Sequence, residues 1–192
     1  MKFCRSLIMF YAGIVLATKP SHADTYVIDT AGAHASINFK ISHFGFSWLE
    51  GRFDSFVGVF FFDEKNPENS NVNVTVETTS INSNHTERDN HLRSDDFLAA
   101  DRFPDVTFRS TNVERIDENN LRVIGDLTLR GVQKSIEIDT TYVGGGQDPW
   151  GDVRQGFVGT TEIVLADFGI PFDLGPSSTK VFLTLNVEGT KQ

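Results

Sequence analysis

From Tyr26 onward apolar residues recur at every second position, and that period constrains the fold more than any other property of the chain. Ala35, Ile37, Phe39 and Ile41 alternate with Ser36, Asn38, Lys40 and Ser42, which gives a strand one dry face and one wet face. The alternation returns in Val72, Val74 and Val76, in Leu121, Val123, Leu127 and Leu129, and in Ile136, Ile138 and Tyr142. It closes with Phe157, Thr161, Ile163 and Leu165, then Val181, Leu183, Leu185 and Val187. A sheet wetted on one side is antiparallel, because parallel sheets are covered on both faces and read as unbroken apolar runs. About eight such strands joined by short turns bury their dry faces by rolling up, which predicts an all-β antiparallel barrel. Turns are marked by Asn66-Pro67-Glu68-Asn69, Asp117-Glu118-Asn119-Asn120, Arg130-Gly131 and the Gly144 to Gly146 run, the last read as a hairpin tip.

Two segments depart from the pattern. Gly51 to Asp63 is apolar in both phases, with Phe53, Val57, Val59 and Phe61 in one and Phe56, Phe60 and Phe62 in the other. A strand of that kind needs cover on its outer face, from a helix, a loop or a second subunit, and a homodimer is one arrangement that supplies it. His85 to Ala100 is polar apart from Leu92, Phe97 and Leu98, and reads as one short helical connection, capped by Asn84 with Glu87 three residues on and ended before Pro104.

The first 23 residues differ in kind. Met1 to Arg5 is a short positive start, Ser6 to Ala17 an apolar run, and Ser21-His22-Ala23 a small-residue cleavage signal, which together predict a secretory leader cut after Ala23. The apolar run is shorter than the roughly 20 residues that span a bilayer. Residues 24–192 then form one exported domain, periplasmic or secreted, with no integral membrane segment. The lone Cys4 lies in the leader, so the domain has no disulfide, thiolate metal site or cysteine nucleophile and depends on its core. Fifteen of the 17 phenylalanines remain to build it. Without Lys2, Arg5 and Lys19 the domain keeps 14 basic residues against 26 acidic ones, a net charge of −12. That balance argues against nucleic acid and against anionic lipid surfaces.

Candidate chemistry is sparse. His43 falls in register with Ile37, Phe39 and Ile41, so its ring is expected to point inward, either bonded to a neighbouring carbonyl or available to a ligand head. His85, Glu87, Asp89 and His91 suggest a metal cluster, yet on a helix only His85 and Asp89 share a face, and a solvated helix explains them more simply. Arg93 and Asp96 are expected to order their loop through a charge pair or to touch a ligand head. No nucleophile elbow, zinc-protease helix, dinucleotide fingerprint or phosphate loop is present.

Several motifs in one order resemble those of a known family. Leu92-Arg93-Ser94-Asp95-Asp96-Phe97 and Phe103-Pro104-Asp105-Val106-Thr107-Phe108-Arg109-Ser110-Thr111 look like the hallmark stretch of the YceI family of polyisoprenoid-binding proteins. Gly125 to Val132, Asp148-Pro149-Trp150-Gly151, Asp167-Phe168-Gly169-Ile170 and the run His34 to Phe53 are similar in order and spacing. The resemblance implies a lipocalin-like barrel whose lumen holds the tail of an isoprenoid lipid, a quinone or a polyprenyl phosphate, and implies no other cofactor. Where many relatives carry a basic residue before Asp-Phe-Gly, this chain has Val164-Leu165-Ala166; if that residue helps hold an anionic head group, the departure implies a neutral head or no particular head.

The residue pattern permits the same role. Gly125 between Val123 and Leu127, and Gly159 and Thr161 between Phe157 and Ile163, suit either a slot or tight packing. The pocket expected from resemblance and alternation together is lined by Ile37, Phe39, Ile41, His43, Phe53, Phe108, Leu127, Phe157, Ile163, Phe168 and Leu183, with Phe97, Leu98 and Phe103 closing one mouth. The expected function is non-catalytic carriage. The alternative is an enzyme acting on a small apolar substrate in the same barrel, which needs a second polar group converging on His43.

Overall fold

The computed structural model describes residues 24–171 and 173–192; the leader read in Met1 to Ala23, its cut site and Cys4 lie outside them. The elements run β1 (Asp24–Ile28), β2 (Ser36–His43), β3 (Ser47–Phe53), β4 (Phe56–Phe62), β5 (Asn71–Glu77), β6 (Ile81–Asn82), α1 (Thr86–Arg93), β7 (Asp105–Arg115), β8 (Asn120–Leu129), β9 (Val132–Gln147), β10 (Val153–Val164) and β11 (Lys180–Lys191). Every pairing is antiparallel. Eight strands close the ring in the order β1-β4-β5-β7-β8-β9-β10-β11, with β11 returning to β1. The expected barrel is therefore present.

The ring changes composition along its axis. One stretch of β11, Gly189 to Lys191, pairs with β1, while the stretch Val181 to Asn186 pairs with β2. β2 carries β3, and β3 carries the short β6, so at this second end β2, β3 and β6 extend the wall from β11, with Phe56 of β4 and Val74 and Val76 of β5 also facing the space they bound. Alternation assigned faces correctly in these strands because side-chain direction follows backbone period.

The Phe-rich segment is two strands rather than one. The turn at Asp54 and Ser55 resets the phase, so Phe56, Phe60 and Phe62 face inward and Val57 and Val59 face outward, 65 % and 42 % exposed. The outward row has no cover among the described residues. The triple glycine is not a hairpin tip either. Gly144 and Gly146 lie within β9 at φ of +150° and +154°, values open chiefly to glycine, and the tip follows at Asp148 to Asp152.

The helix is shorter than the pattern implied. Its cap is His85, whose Nδ1 accepts from the Arg88 amide at 3.2 Å, while Asn84 takes a left-handed backbone (φ +60°). It stops at Arg93, because Phe97 and Leu98 reach the core only if the chain turns; Ala99, also left-handed, completes that turn.

Candidate functional site

The two ends of the barrel are filled differently. At the first end Tyr26, Phe60, Phe62, Tyr142 and Phe157 interlock. Tyr26 stacks on Phe60 at 5.0 Å, and Phe157 meets Phe60, Phe62 and Tyr142 at 5.6, 5.0 and 5.3 Å. Stacked, tilted and edge-to-face pairs of this kind pack the rings into one aromatic cluster at this end. The inward glycines seat bulky neighbours: a Cβ on Gly189 would strike the Phe60 ring and one on Gly125 the Phe108 ring. Gly159 likewise lies against Ile138 and Leu185.

At the second end the wall widens into an apolar cavity of about 780 Å³. Ile37, Phe39 and Ile41 line it from β2, Leu49 and Phe53 from β3, and Val181, Leu183 and Leu185 from β11. Ile163 of β10 continues the wall beside Val181, and Phe108 of β7 and Leu127 of β8 line it further round the ring. The volume falls within the range that encloses a small-molecule ligand.

A lid covers part of this end. Leu92 of α1 and the buried Phe97 and Leu98 reach over the cavity, joined by Leu165, Ile170 and Leu174 from the connection between β10 and β11. Polar contacts fix the lid from outside. Arg93 donates to the carbonyls of Thr79 at 2.7 Å and Ile81 at 2.9 Å. Arg130, in the β8–β9 turn, donates to the carbonyls of Asp95 at 2.8 Å and of Gly169. Asp89 anchors α1 to Ser83, accepting from its amide at 2.8 Å and from its hydroxyl. Burial works to raise the Asp89 carboxyl, and the two Ser83 hydrogen bonds outweigh it, so the group stays below its ordinary range.

Eleven of the residues expected at the site line this cavity, and three do not. Phe157 belongs to the aromatic plug, because alternation fixes a side chain's face and not its depth along the axis. Phe168 is buried against Leu127 and Ile163 outside the cavity. Phe103 packs over Gly131 with the Arg102 guanidinium 5.4 Å from its ring. His43 lines the mouth but is exposed, with Phe44 edge-on at 4.8 Å, so it is a rim residue rather than a core histidine. Arg93 and Asp96 do not pair with each other: Arg93 holds backbone carbonyls, and Asp96 meets His91 Nε2 at 2.9 Å.

Arg154 organises the charged groups at the plugged end. It meets Asp148 at 2.6 Å, Asp29 at 2.7 Å and Glu188 at 2.8 Å. Hydrogen bonds from His34, from Arg154 and from the Gly32 amide hold the Asp29 carboxyl well below the usual carboxylate range. The bond from Arg154 does the same for Asp148. Asp29, His34 and Glu188 are the one triad among the described residues whose ligand atoms converge as a metal site requires, and the Arg154 guanidinium already joins its two carboxylates. The His85 to His91 cluster does not converge: His85 caps the helix and Asp89 holds Ser83.

Comparison with known proteins agrees with this geometry. Residues 26–189 match the family described as the YceI-like domain. A UPF0312 protein of Vibrio parahaemolyticus is 52 % identical over 187 residues, covering 96 % of this chain and 98 % of the relative. A crystal structure of a Campylobacter jejuni YceI protein aligns with TM-score 0.72 and 32 % identity, over 80 % of this chain and 91 % of that one. The structure of a polyisoprenoid-binding domain from Saccharophagus degradans shares the fold, with TM-score 0.63 and 16 % identity over 87 % of this chain and 98 % of that one.

Proposed function

The chain belongs to the YceI-like domain family, and we propose that it is a non-catalytic carrier enclosing the tail of an isoprenoid lipid, of quinone or polyprenyl type, in the wide end of its barrel. The observation that carries this reading is the apolar cavity of about 780 Å³ bounded by a plug at one end and a lidded mouth at the other. Each methylene that leaves water for such a wall gains about 0.8 kcal/mol, so a long hydrocarbon is the ligand that profits most from it. The polyisoprenoid-binding character of the Saccharophagus degradans domain, which shares this fold, supports the choice of tail.

The placement of titratable groups favours binding over catalysis. Those lining the cavity are His43, Glu50, Arg88 and His91, all on the hairpin and helix that frame the mouth. With no cation among the residues just before Asp167 (Val164-Leu165-Ala166), the carrier prefers a neutral head group or no particular head. In this reading residues 1–23 direct export and are removed after Ala23, which places the carrier in the periplasm or outside the cell. Purified protein extracted with organic solvent and analysed by mass spectrometry releases an isoprenoid lipid in near-stoichiometric amount; repeated extracts free of lipid would end the carrier reading.

A further inference from the structure

The mouth of the cavity opens beside the tip of the β2–β3 hairpin, and the side chains there are unusual for a turn in water. Phe44, Phe46 and Trp48 are 53 %, 86 % and 55 % exposed. Phe44 also takes a left-handed backbone (φ +53°), where turn chemistry favours Asn or Gly, so the position is better explained by its ring than by the turn.

The tip that bears these rings carries no formal charge of its own, the charged groups at the mouth being Glu50 of β3 and Arg88 of α1. With histidine neutral, residues 41–49 of the hairpin and 174–179 of the loop packed on it contain no acid and no cation, in a domain whose net charge is −12. The two segments form one surface: Ser178 donates its hydroxyl to the Ser42 carbonyl at 2.6 Å, and Ser177 lies beside Gly45. Just behind the tip, Trp48 meets Phe182 edge-on at 5.7 Å, and the Lys40 ammonium stands 5.1 Å from the Trp48 ring. Tryptophan, phenylalanine and a lysine packed against them is the set of side chains that settles at a water–lipid boundary.

We propose that this hairpin tip docks on an electrically neutral phospholipid bilayer, inserting Phe44, Phe46 and Trp48 among the headgroups and holding the cavity mouth against the membrane. The inference builds on the carrier reading, since a tail that leaves the bilayer directly into the mouth never crosses water. A bilayer fits this tip better than a folded partner because the surface is continuous with the cavity opening and residues 41–49 and 174–179 offer no charge for a protein to pair. A zwitterionic surface fits better than an anionic one because the domain's net charge opposes the latter.

The chain has two tryptophans, and the fold places them at opposite ends, Trp48 at the tip and Trp150 at the β9–β10 turn. Trp150→Phe and Trp48→Phe therefore give single-tryptophan proteins that report on each end. With phosphatidylcholine vesicles carrying brominated acyl chains, Trp48 emission shifts to the blue and is quenched, while Trp150 emission is unchanged. Phe46→Ser, at a position exposed enough to leave the fold intact, weakens vesicle binding by about tenfold or more. Phosphatidylglycerol vesicles bind less than phosphatidylcholine ones. Docking is overturned by an unquenched Trp48, by equal quenching of both tryptophans, or by Phe46→Ser binding as the parent does. Preference for the anionic vesicles, or association of the protein with itself through the tip in place of vesicle binding, overturns it equally. Solvent extraction of the same preparation separates the two ideas. Lipid in the extract without quenching removes docking alone, and quenching without lipid removes the carrier reading alone.

Discussion

The two ends of this barrel are built from the same alternating strands and reach opposite outcomes. At the plugged end five aromatic rings interlock on the axis and Arg154 ties three carboxylates around the outside. At the open end the inward residues are mostly aliphatic, the wall is rebuilt from β2, β3 and β6, and a lid held by arginines spans what remains. Ring arrangement separates them. At the plug Phe157 meets three other rings, whereas the rings that line the cavity are interspersed with Ile, Leu and Val and leave space between them. One end supplies rigidity and the other supplies volume.

The contrast can be broken most forcefully at the plug. Phe157→Ala removes the ring that touches three others, and is expected to lower unfolding free energy by about 3–5 kcal/mol, read as a shift in urea midpoint. Loosening the lid has a smaller effect. Arg93→Ala leaves two carbonyls without their donor, which costs about 1–3 kcal/mol, and it speeds exchange of a fluorescent isoprenoid out of the cavity in stopped-flow displacement. Filling the open end changes stability least among the core substitutions. Leu183→Trp should stay within about 1.5 kcal/mol of the parent because the indole has vacant space to enter, while lipid recovered on extraction falls sharply. A large loss of stability with lipid retained would mean that the two ends are not separable.

The charge clasp gives the smallest effect at neutral pH and a distinct signature in acid. Asp29 and Asp148 bind protons less readily folded than unfolded, so their stabilisation is complete above the unfolded carboxylate value of about 4 and is lost as pH falls below it. Melting temperature should therefore hold between pH 7 and 5 and decline more steeply below pH 4. Arg154→Met lowers it slightly at neutral pH and flattens the acid decline. An unchanged decline in that variant would assign the acid sensitivity elsewhere.

What could be read from the residues alone follows the same division. Period two placed Ile37, Phe39, Ile41, Leu127, Ile163 and Leu183 on the inner face because a strand has only two faces to choose between. It could not say that Phe157 lies at the blocked end, since depth depends on how neighbouring strands stagger. The Asp54-Ser55 turn was hidden among phenylalanines, so two strands read as one. Ile170 and Leu174 are not legible as lining residues because loops have no period, and Leu165 reads as the end of a strand row although it opens that loop; apolar side chains in a connecting loop were a usable sign that it folds back on the core. Arg130 was visible only as part of a motif; its bonds to the Asp95 and Gly169 carbonyls show that three separate motifs meet to brace one lid.

The strand β11 pairs with β10, β2 and β1, so both halves of the molecule are completed by the last strand of the chain. During synthesis neither half can shut until that strand has emerged from the ribosome. Up to that moment the growing polypeptide is an unsealed sheet with its greasy rows bare.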